Sequence, residues 1–189
     1  MKHFNIAVIA GDGIGPEVIA EGKKVFSGIA EMDGGFSVSF EDFPWGCEYY
    51  LKTGEMMPTD GLDILKPFDA IYLGAVGYPG VPDHVSLGGL LLQIRRGFDE
   101  YINLRPVRLL KGASCPLANV LPDDINMIVV RENSEGEYAN VGAHLYPGTE
   151  REMALQTGVF SRHGCERVIR YAYELARREK RSLTSISKG

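Results

Sequence analysis

Hydrophobic and polar positions follow two periods along the first third of the chain, one typical of strands and one of helices. An unbroken apolar run over residues 4–10 predicts a buried strand. After a glycine-rich turn at 11–16, helical spacing predicts a helix over 17–32, with Pro16 suited to its first turn. The same patterns predict strands at 36–43 and 69–74 and short helices at 45–52 and 60–66. Strands and helices therefore alternate, which predicts an α/β fold with a mainly parallel sheet.

The second half of the chain shows fewer clear periods. Apolar runs at 103–110 and 126–131 predict two more strands, and apolar residues recur at helical spacing over 163–178. That helix ends in arginine and lysine residues, which interact favourably with a helix C-terminus. The run 183–186 predicts the start of a further strand.

The stretch 132–162 is the least regular part of the sequence. It is rich in glycine and polar residues without a clear period, and loops of that length are uncommon inside a compact domain. We therefore expect a loop-like arm that packs on a partner chain. A change in composition near residue 100 predicts a first domain, residues 1–100, and part of a second, smaller domain, residues 101–189, which contains the arm.

Composition places the chain among ordinary globular proteins, since 44% of its 189 residues are hydrophobic and 24% are charged. The net charge of −5 and the absence of a basic stripe argue against a nucleic-acid partner. No apolar run is long enough for a membrane span or a signal peptide. Cys47, Cys115 and Cys165 are too widely spaced for a zinc motif or a disulfide framework, so we expect a cytoplasmic protein.

Two arginines flank the expected junction between a helix and a strand. An apolar Leu/Ile run ends at Arg95, and Arg105 precedes Pro106, which favours extended backbone at Arg105. Planar guanidinium groups bind carboxylates in a rigid bidentate geometry, so this hinge can direct two of them at one small anion. Arg131, at the end of a predicted strand, is a third candidate. The alternative is that all three are solvated surface charges.

The glycine-rich turn at 11–16 follows a strand and opens a helix, as a dinucleotide-binding turn does. It departs from that fingerprint because Pro16 occupies the position of the third glycine. A close approach to a cofactor and a tight turn without a ligand both remain open. The glycine- and proline-rich loop at 75–82 follows a predicted strand, at the edge where open α/β sheets bind ligands.

Three further positions carry groups with possible chemistry. Tyr138 has a hydroxyl able to give a proton. Lys188 stands at the end of the last predicted strand, where a lysine is ordinarily a frayed surface charge. The Asp83-His84 dipeptide lacks the further ligands that a metal site needs and is expected in a surface loop.

Taken in chain order, these features resemble the isocitrate/isopropylmalate dehydrogenase family over all 189 residues. The resemblance is carried by residues 11–17, by Arg95 with 103–106, by 131–133 with Tyr138, and by Lys188. Within the family, residues 83–87, 94–96 and 131–136 look most like the tartrate and D-malate dehydrogenases.

Three glycine or leucine positions depart from the patterns of the family's branches. Gly89 and Leu91 stand where isocitrate enzymes carry Ser and Asn. Gly88 stands where isopropylmalate enzymes usually carry an acidic residue, and it also replaces the tryptophan that tartrate-type sequences tend to have.

The resemblance implies an isopropylmalate dehydrogenase-like fold, a sandwich of parallel and mixed sheet with part of a second, smaller α/β domain. It implies NAD-dependent oxidation and decarboxylation of a 2-hydroxy dicarboxylic acid, tartrate or D-malate, with Mg²⁺ or Mn²⁺. The implied roles are substrate binding by Arg95, Arg105 and Arg131, catalysis by Tyr138 and Lys188, and cofactor binding by Ile14, Gly74, Ala75 and Val76. Lys188 would act in the partner subunit of a homodimer.

Members of this family continue well beyond residue 189. Their acidic metal ligands are expected in that later part, and no residue of this chain is assigned as a metal ligand. The sequence is therefore expected to be an N-terminal fragment without turnover of its own. Two alternatives remain open: a fragment of a 3-isopropylmalate dehydrogenase, and a non-catalytic remnant that acts only by association.

Overall fold

A computed structural model describes residues 1–186, with only the backbone given for Asp123. The chain divides into two units, Met1–Gly97 and Phe98–Gly189. No helix within residues 1–186 is long and apolar enough to cross a lipid bilayer.

The first unit is built on a parallel sheet of three strands in the order β2-β1-β3. Its strands are β1 (Lys2–Gly11), β2 (Phe36–Asp42) and β3 (Ala70–Ala75). Its helices are α1 (Gly15–Asp33), α2 (Cys47–Thr53), α3 (Gly61–Leu65), α4 (Asp83–Ser86) and α5 (Leu92–Gly97). The α/β alternation predicted for this part of the chain is confirmed.

Strand β1 lies at the centre of this sheet and supplies most of its core. Residues 7–9 have no exposed surface, as expected for an apolar strand with a parallel neighbour on each side. Ile19 of α1 packs on Ile6 and Val8, so the helix covers one face of the sheet. The apolar run at the start of the sequence is therefore what fixes the position of α1.

The turn between β1 and α1 packs directly on the end of β3. A side chain at Gly11 would meet the Ala75 carbonyl oxygen, and a side chain at Gly15 would meet the Ala10 carbonyl oxygen. Gly11 also adopts a φ of +72°, which favours glycine. Because the backbones approach this closely, both positions need glycine, and the turn is held at the carboxyl edge of the sheet.

Residues 83–97 form one helical stretch, in which a π-helical turn, Leu87–Leu91, joins α4 to α5. The expectation that the Asp83-His84 dipeptide lies in a surface loop is wrong, because it forms the first turn of this stretch. Paired glycines weaken the helical signal in the sequence. Gly89 is explained by packing, since a Cβ there would lie 2.7 Å from Met56 Cγ.

The described part of the second unit contains two pairs of antiparallel strands and a long helix. The first pair is β4 (Ile102–Arg108) with β5 (Asn126–Glu132), and the second is β6 (Gly136–Leu145) with β7 (Met153–Val159). A short 3₁₀ turn, Pro122–Asp124, precedes β5. Helix α6 (Arg162–Glu179) begins after Ser161, whose Oγ accepts a hydrogen bond from the Gly164 N–H at 2.9 Å.

The segment 132–162 is mostly a β-hairpin, and the prediction that it lacks regular structure is wrong. Strands β6 and β7 pair with, for example, His144 opposite Ala154. Most residues of both strands are exposed, so neither face shows the alternation from which strands are predicted. An irregularity in register between Gly136 and Val141 interrupts the period further. Whether the hairpin is an arm for a partner chain stays a prediction.

Residues 183–186 pair with no other strand among the residues that the structure describes. The prediction of a strand there is wrong, because such a run becomes a strand only where a neighbouring strand satisfies its backbone groups.

Two glycines of α1 provide a matched test of the packing between α1, β1 and β3. Gly15→Ala should lower the free energy of unfolding by about 1–3 kcal/mol, because its Cβ would meet Ala10 and lie 3.0 Å from Ala75 N. Gly28→Ala should raise it by roughly 0.5–1 kcal/mol, since nothing lies within 4 Å and alanine favours helix. Urea unfolding measures both, and a Gly15→Ala chain as stable as the wild type would contradict the close contact.

Candidate functional site

Two of the three predicted substrate arginines share one face of the β4–β5 pair. Asn103 lies directly opposite Arg131, and Arg105 lies opposite Val129. Alternate residues of a strand face the same side, so Arg105 and Arg131 are diagonal neighbours within reach of long side chains. The Arg105 Nε donates a hydrogen bond to Asn103 Oδ1 at 3.1 Å, which orients its guanidinium group on this face.

Arg131 also binds the predicted proton donor. Its Nη2 donates to the Tyr138 hydroxyl oxygen at 2.7 Å, and its guanidinium carbon lies 5.3 Å from the centre of the Tyr138 ring. The phenol oxygen is the acceptor in this bond, so the bond itself does not use the phenol proton. The positive charge beside it would stabilise the negative charge left after the proton is given.

A tight turn connects Arg131 to Tyr138, and Glu132 holds this turn together from inside. Its carboxylate accepts hydrogen bonds from the Ser134 N–H at 3.0 Å, the Ser134 hydroxyl at 2.6 Å and the Glu135 N–H at 2.8 Å. Such local side-chain to backbone bonds are typical of turns. The sequence analysis identified Arg131 and Tyr138 in this stretch as candidates and missed the role of Glu132.

Asn133, in the same turn, is buried and fastens the turn to the start of β4. Its Nδ2 donates to the Glu100 carbonyl oxygen at 3.0 Å, and its backbone N–H donates to the Tyr101 carbonyl oxygen at 3.0 Å. Only 5% of its surface is exposed. Asn133 therefore acts as a support for the turn, a role the sequence did not reveal.

Glu135 joins the same turn to the beginning of α6. Its carboxylate accepts hydrogen bonds from the Ser161 hydroxyl at 2.5 Å and the Ser161 N–H at 2.8 Å. These bonds, followed by the positive charges of Arg167 and His163, lower the pKa of Glu135 below its ordinary value of 4.5. The turn is therefore anchored at both its ends.

In the first unit, the buried carboxylate of Asp12 joins three segments. Its Oδ1 accepts from the Cys47 N–H at 2.8 Å, its Oδ2 accepts from the Gly77 N–H at 3.0 Å, and its own N–H donates to the Ala75 carbonyl oxygen at 2.6 Å. Asp12 is only 4% exposed. The sequence interpretation singled out the glycines here and missed the acid between them, although an acid enclosed by glycines was the available signal.

The four predicted cofactor residues lie around this turn. Gly74 and Ala75 end β3, Val76 follows them, and Ile14 precedes α1 with 64% of its surface exposed. A cavity of about 300 Å³ is lined by Asp12 and by aromatic side chains, including Trp45 and Tyr49. The structure thus gathers the predicted residues at the carboxyl edge of the sheet, and their role in cofactor binding stays a prediction.

The remaining predicted site residues are placed less fully. Arg95 is half-buried on α5 in the first unit. Lys188 lies outside the residues that the structure describes. Within residues 1–186, no group of three or more His, Cys, Asp or Glu side chains is arranged to hold a metal ion.

The chain is similar to known dehydrogenases over most or all of its length. The family model for isocitrate/isopropylmalate dehydrogenase matches residues 5–189. The chain is 54% identical over its whole length to the D-malate dehydrogenase (decarboxylating) of Escherichia coli (strain K12), of which it covers 53%. It is 50% identical over its whole length to a probable tartrate dehydrogenase/decarboxylase of Bacillus subtilis (strain 168), of which it covers 52%.

A solved structure is similar as well. The isocitrate dehydrogenase of Methylococcus capsulatus superposes with a TM-score of 0.77 at 29% identity, covering 95% of this chain and 49% of that one. The chain therefore spans about half the length of the curated relatives and the solved structure that it matches.

The environment of Cys47 predicts an unreactive thiol. Burial, followed by the hydrogen bond and negative charge of Asp12, raises the pKa of Cys47 to about 11, so thiolate is scarce near neutral pH. Iodoacetamide should therefore modify the half-buried Cys115 and Cys165 of the native protein and leave Cys47 intact. Peptide mass spectrometry measures this, with the urea-unfolded chain as control. Equal labelling of Cys47 and Cys165 in the native protein would contradict the described burial.

The lowered pKa of Glu135 predicts a loss of stability in acid. The stabilisation that Glu135 gives to the folded chain is complete above the pKa of its carboxyl group in the unfolded chain, near 4.5. It is lost as the pH falls through the lower pKa of the folded chain. Glu135→Gln should therefore reduce the drop in Tm between about pH 6 and about pH 3.5. Glu137→Gln, at an exposed position on β6, is the matched control. An identical drop in Tm for the wild type and Glu135→Gln would exclude this contribution.

Proposed function

The chain belongs to the isocitrate/isopropylmalate dehydrogenase family, and we propose that its protein oxidises and decarboxylates a 2-hydroxy dicarboxylic acid with NAD⁺. D-malate and tartrate are the proposed substrates, because the chain shares half or more of its residues with proteins named for them. The second candidate substrate is 3-isopropylmalate.

The observation that carries this proposal is the face shared by Arg105 and Arg131, together with the hydrogen bond from Arg131 to the Tyr138 hydroxyl. A dicarboxylic acid brings two negative charges, and guanidinium groups pair with carboxylates in a fixed geometry. Two arginines as diagonal neighbours on β4 and β5 can hold such a molecule in one orientation. Arg95 completes the proposed arginine set on the strength of the family resemblance.

The chemistry assigns a separate task to Tyr138. Bound NAD⁺ supplies the hydride acceptor when the substrate C–OH becomes a C=O. The second carboxylate is then β to a carbonyl group, so it can leave as CO₂ while its bonding electrons remain on the adjacent carbon. That carbon takes a proton, and we assign its donation to the hydroxyl of Tyr138, which Arg131 holds at 2.7 Å. Lys188 is the proposed base that removes the hydroxyl proton.

The residues at the carboxyl edge of the first sheet suit a dinucleotide. Glycines at 11 and 15 allow close backbone approach. Ile14 presents an exposed apolar side chain where α1 begins, and it caps the helix with no side-chain hydrogen bond. Ile14, Gly74, Ala75 and Val76 are accordingly proposed as cofactor contacts.

The described residues do not supply a ligand set for the Mg²⁺ or Mn²⁺ that the family resemblance implies, since residues 1–186 contain no suitable cluster. The ion therefore enters none of the steps above. Its ligands are proposed to come from the part of the relatives' length that this chain does not span.

The β6–β7 hairpin is proposed as the arm of a homodimer. Val141, Leu145, Met153 and Leu155 on it are each 39% or more exposed, and exposed apolar residues gathered on one hairpin mark interaction surfaces. The same surface is what would favour the alternative, a chain that acts only by association. The three free cysteines fit the proposed cytoplasmic location.

The proposal is tested by joining this chain to the second half of the Escherichia coli D-malate dehydrogenase. With Mn²⁺ and NAD⁺, the joined protein should form NADH with D-malate or tartrate faster than with 3-isopropylmalate. The 189-residue chain alone should form none, because its described residues contain no group of side chains arranged to hold the metal ion. A clear preference for 3-isopropylmalate would overturn the substrate assignment. Turnover by the isolated chain would overturn the separate expectation that it has no activity of its own.

Tyr138→Phe should lower kcat of the joined protein by about 10²–10⁴-fold, the usual contribution of a positioned proton donor. The expected defect lies after oxidation, so NADH should appear in a first turnover while product carrying the new C–H bond does not. Tyr173→Phe, at an exposed position on α6, is the control and should leave kcat unchanged. Full activity of Tyr138→Phe would remove Tyr138 from the mechanism.

A further inference from the structure

Arg167 of α6 makes hydrogen bonds to two residues that lie outside its helix and far from it in sequence. Its Nη1 donates to both oxygens of Asp99, at 2.9 and 2.7 Å, and its Nη2 donates to the Ser134 hydroxyl at 2.9 Å. Its guanidinium carbon also lies 4.3 Å from the centre of the Tyr101 ring. The side chain is 18% exposed. Arg167 thus extends from the helix to the turn that carries Arg131 and Tyr138.

Ser134 links Arg167 to Glu132, which lies next to Arg131 in the sequence. The hydroxyl that accepts from Arg167 donates in turn to Glu132 Oε1 at 2.6 Å, and the same carboxylate binds the Ser134 and Glu135 N–H groups. Glu132 directly follows Arg131 in sequence. A displacement of Ser134 would therefore move the backbone on which Arg131 stands.

The opposite end of the turn is tied to Tyr138. The Tyr138 N–H donates to the Glu135 carbonyl oxygen at 3.3 Å, and Glu135 is fixed by Ser161. The turn thus sets the distance between the Arg131 guanidinium and the Tyr138 hydroxyl. Arg167 holds the middle of the turn through its hydrogen bond to Ser134.

The hydrogen bonds from Arg167 stabilise Asp99 in a strained backbone conformation. It adopts a φ of 49°, a left-handed conformation that is unusual for a residue other than glycine. The two hydrogen bonds from Arg167 reach its carboxylate in that conformation. Arg167 therefore fixes the chain before β4 and the turn after β5 at once.

We propose that Arg167 is a positioning residue for the dehydrogenase site: it holds the 132–135 turn so that Arg131 and Tyr138 keep their mutual hydrogen bond. The inference rests on the proposed function for its catalytic consequence, and its geometric part stands on the contacts alone. Arginine is needed because a planar fork reaches Asp99, Ser134 and the Tyr101 ring together. A lysine ammonium, as a single point charge, can keep the Asp99 pair but not the other contacts.

The geometric part is tested on the 189-residue chain by NMR, with tyrosine labelled with ¹³C at the ring carbon that bears the hydroxyl. The Tyr138 signal is identified by its loss in Tyr138→Phe. Arg167→Lys and Arg167→Gln should shift this signal, and Ser134→Ala, which removes only one partner, should shift it in the same direction. Arg170→Lys and Arg170→Gln, at an exposed position three residues along α6, are the matched controls and should leave it in place.

An unchanged Tyr138 signal in folded Arg167→Gln or Arg167→Lys would overturn the proposal. If neither Arg167 variant folds, Ser134→Ala decides it in the same way. Folding of each variant is checked by circular dichroism and by its melting transition, so that a general loss of structure is recognised.

The catalytic part is tested on the chain joined to the second half of the D-malate dehydrogenase. Arg167→Lys should lower kcat by about 10-fold or more, because small displacements of reacting groups are costly, while KM for NAD⁺ stays within a factor of two. A role limited to stability would lower Tm without this kcat effect, and that outcome would overturn the proposal. A joined wild-type protein without activity would refute the proposed function, and the NMR result would still decide the positioning role.

Discussion

The close approach of backbone to backbone at the carboxyl edge of the first sheet is the constraint from which most of the first unit follows. The turn after β1 and the end of β3 meet where only glycine fits, at Gly11 and Gly15. The buried Asp12 carboxylate then fixes the start of α2 and the loop after β3 to the same turn. One carboxylate thus joins three segments of the first unit.

The second unit uses carboxylates in the same way. Glu132 and Glu135 face inward and accept backbone N–H groups, while Arg131 and Tyr138 face each other across the turn that the acids hold. The acids of this motif hold the turn, and the arginine and the tyrosine are the groups proposed to act on the substrate. The hydrogen bonds therefore separate the supporting residues of this charged motif from its candidate site residues.

The sequence predicted those parts of the fold whose apolar residues follow a clear pattern. The unbroken apolar run over residues 4–10 and the helical spacing of α6 are two such parts, and both elements were found. The β6–β7 hairpin was missed because its strands are exposed on both faces. The arginines were found as candidates because the residue type alone indicates that a side chain can bind a carboxylate. Asp12, Asn133 and Arg167 were not, because their importance lies in partners 33 or more positions away along the chain.

The hydrogen bonds between Glu135 and Ser161 connect the turn that carries Arg131 and Tyr138 to the beginning of α6. Helix termini are where native proteins fray, opening and closing many times before they unfold. The first turn of α6 cannot fray without releasing Glu135, because Ser161 serves both the cap and that carboxylate. The beginning of α6 and the turn that carries Arg131 and Tyr138 therefore open as one cooperative unit. The backbone amide hydrogens of both segments exchange with solvent together.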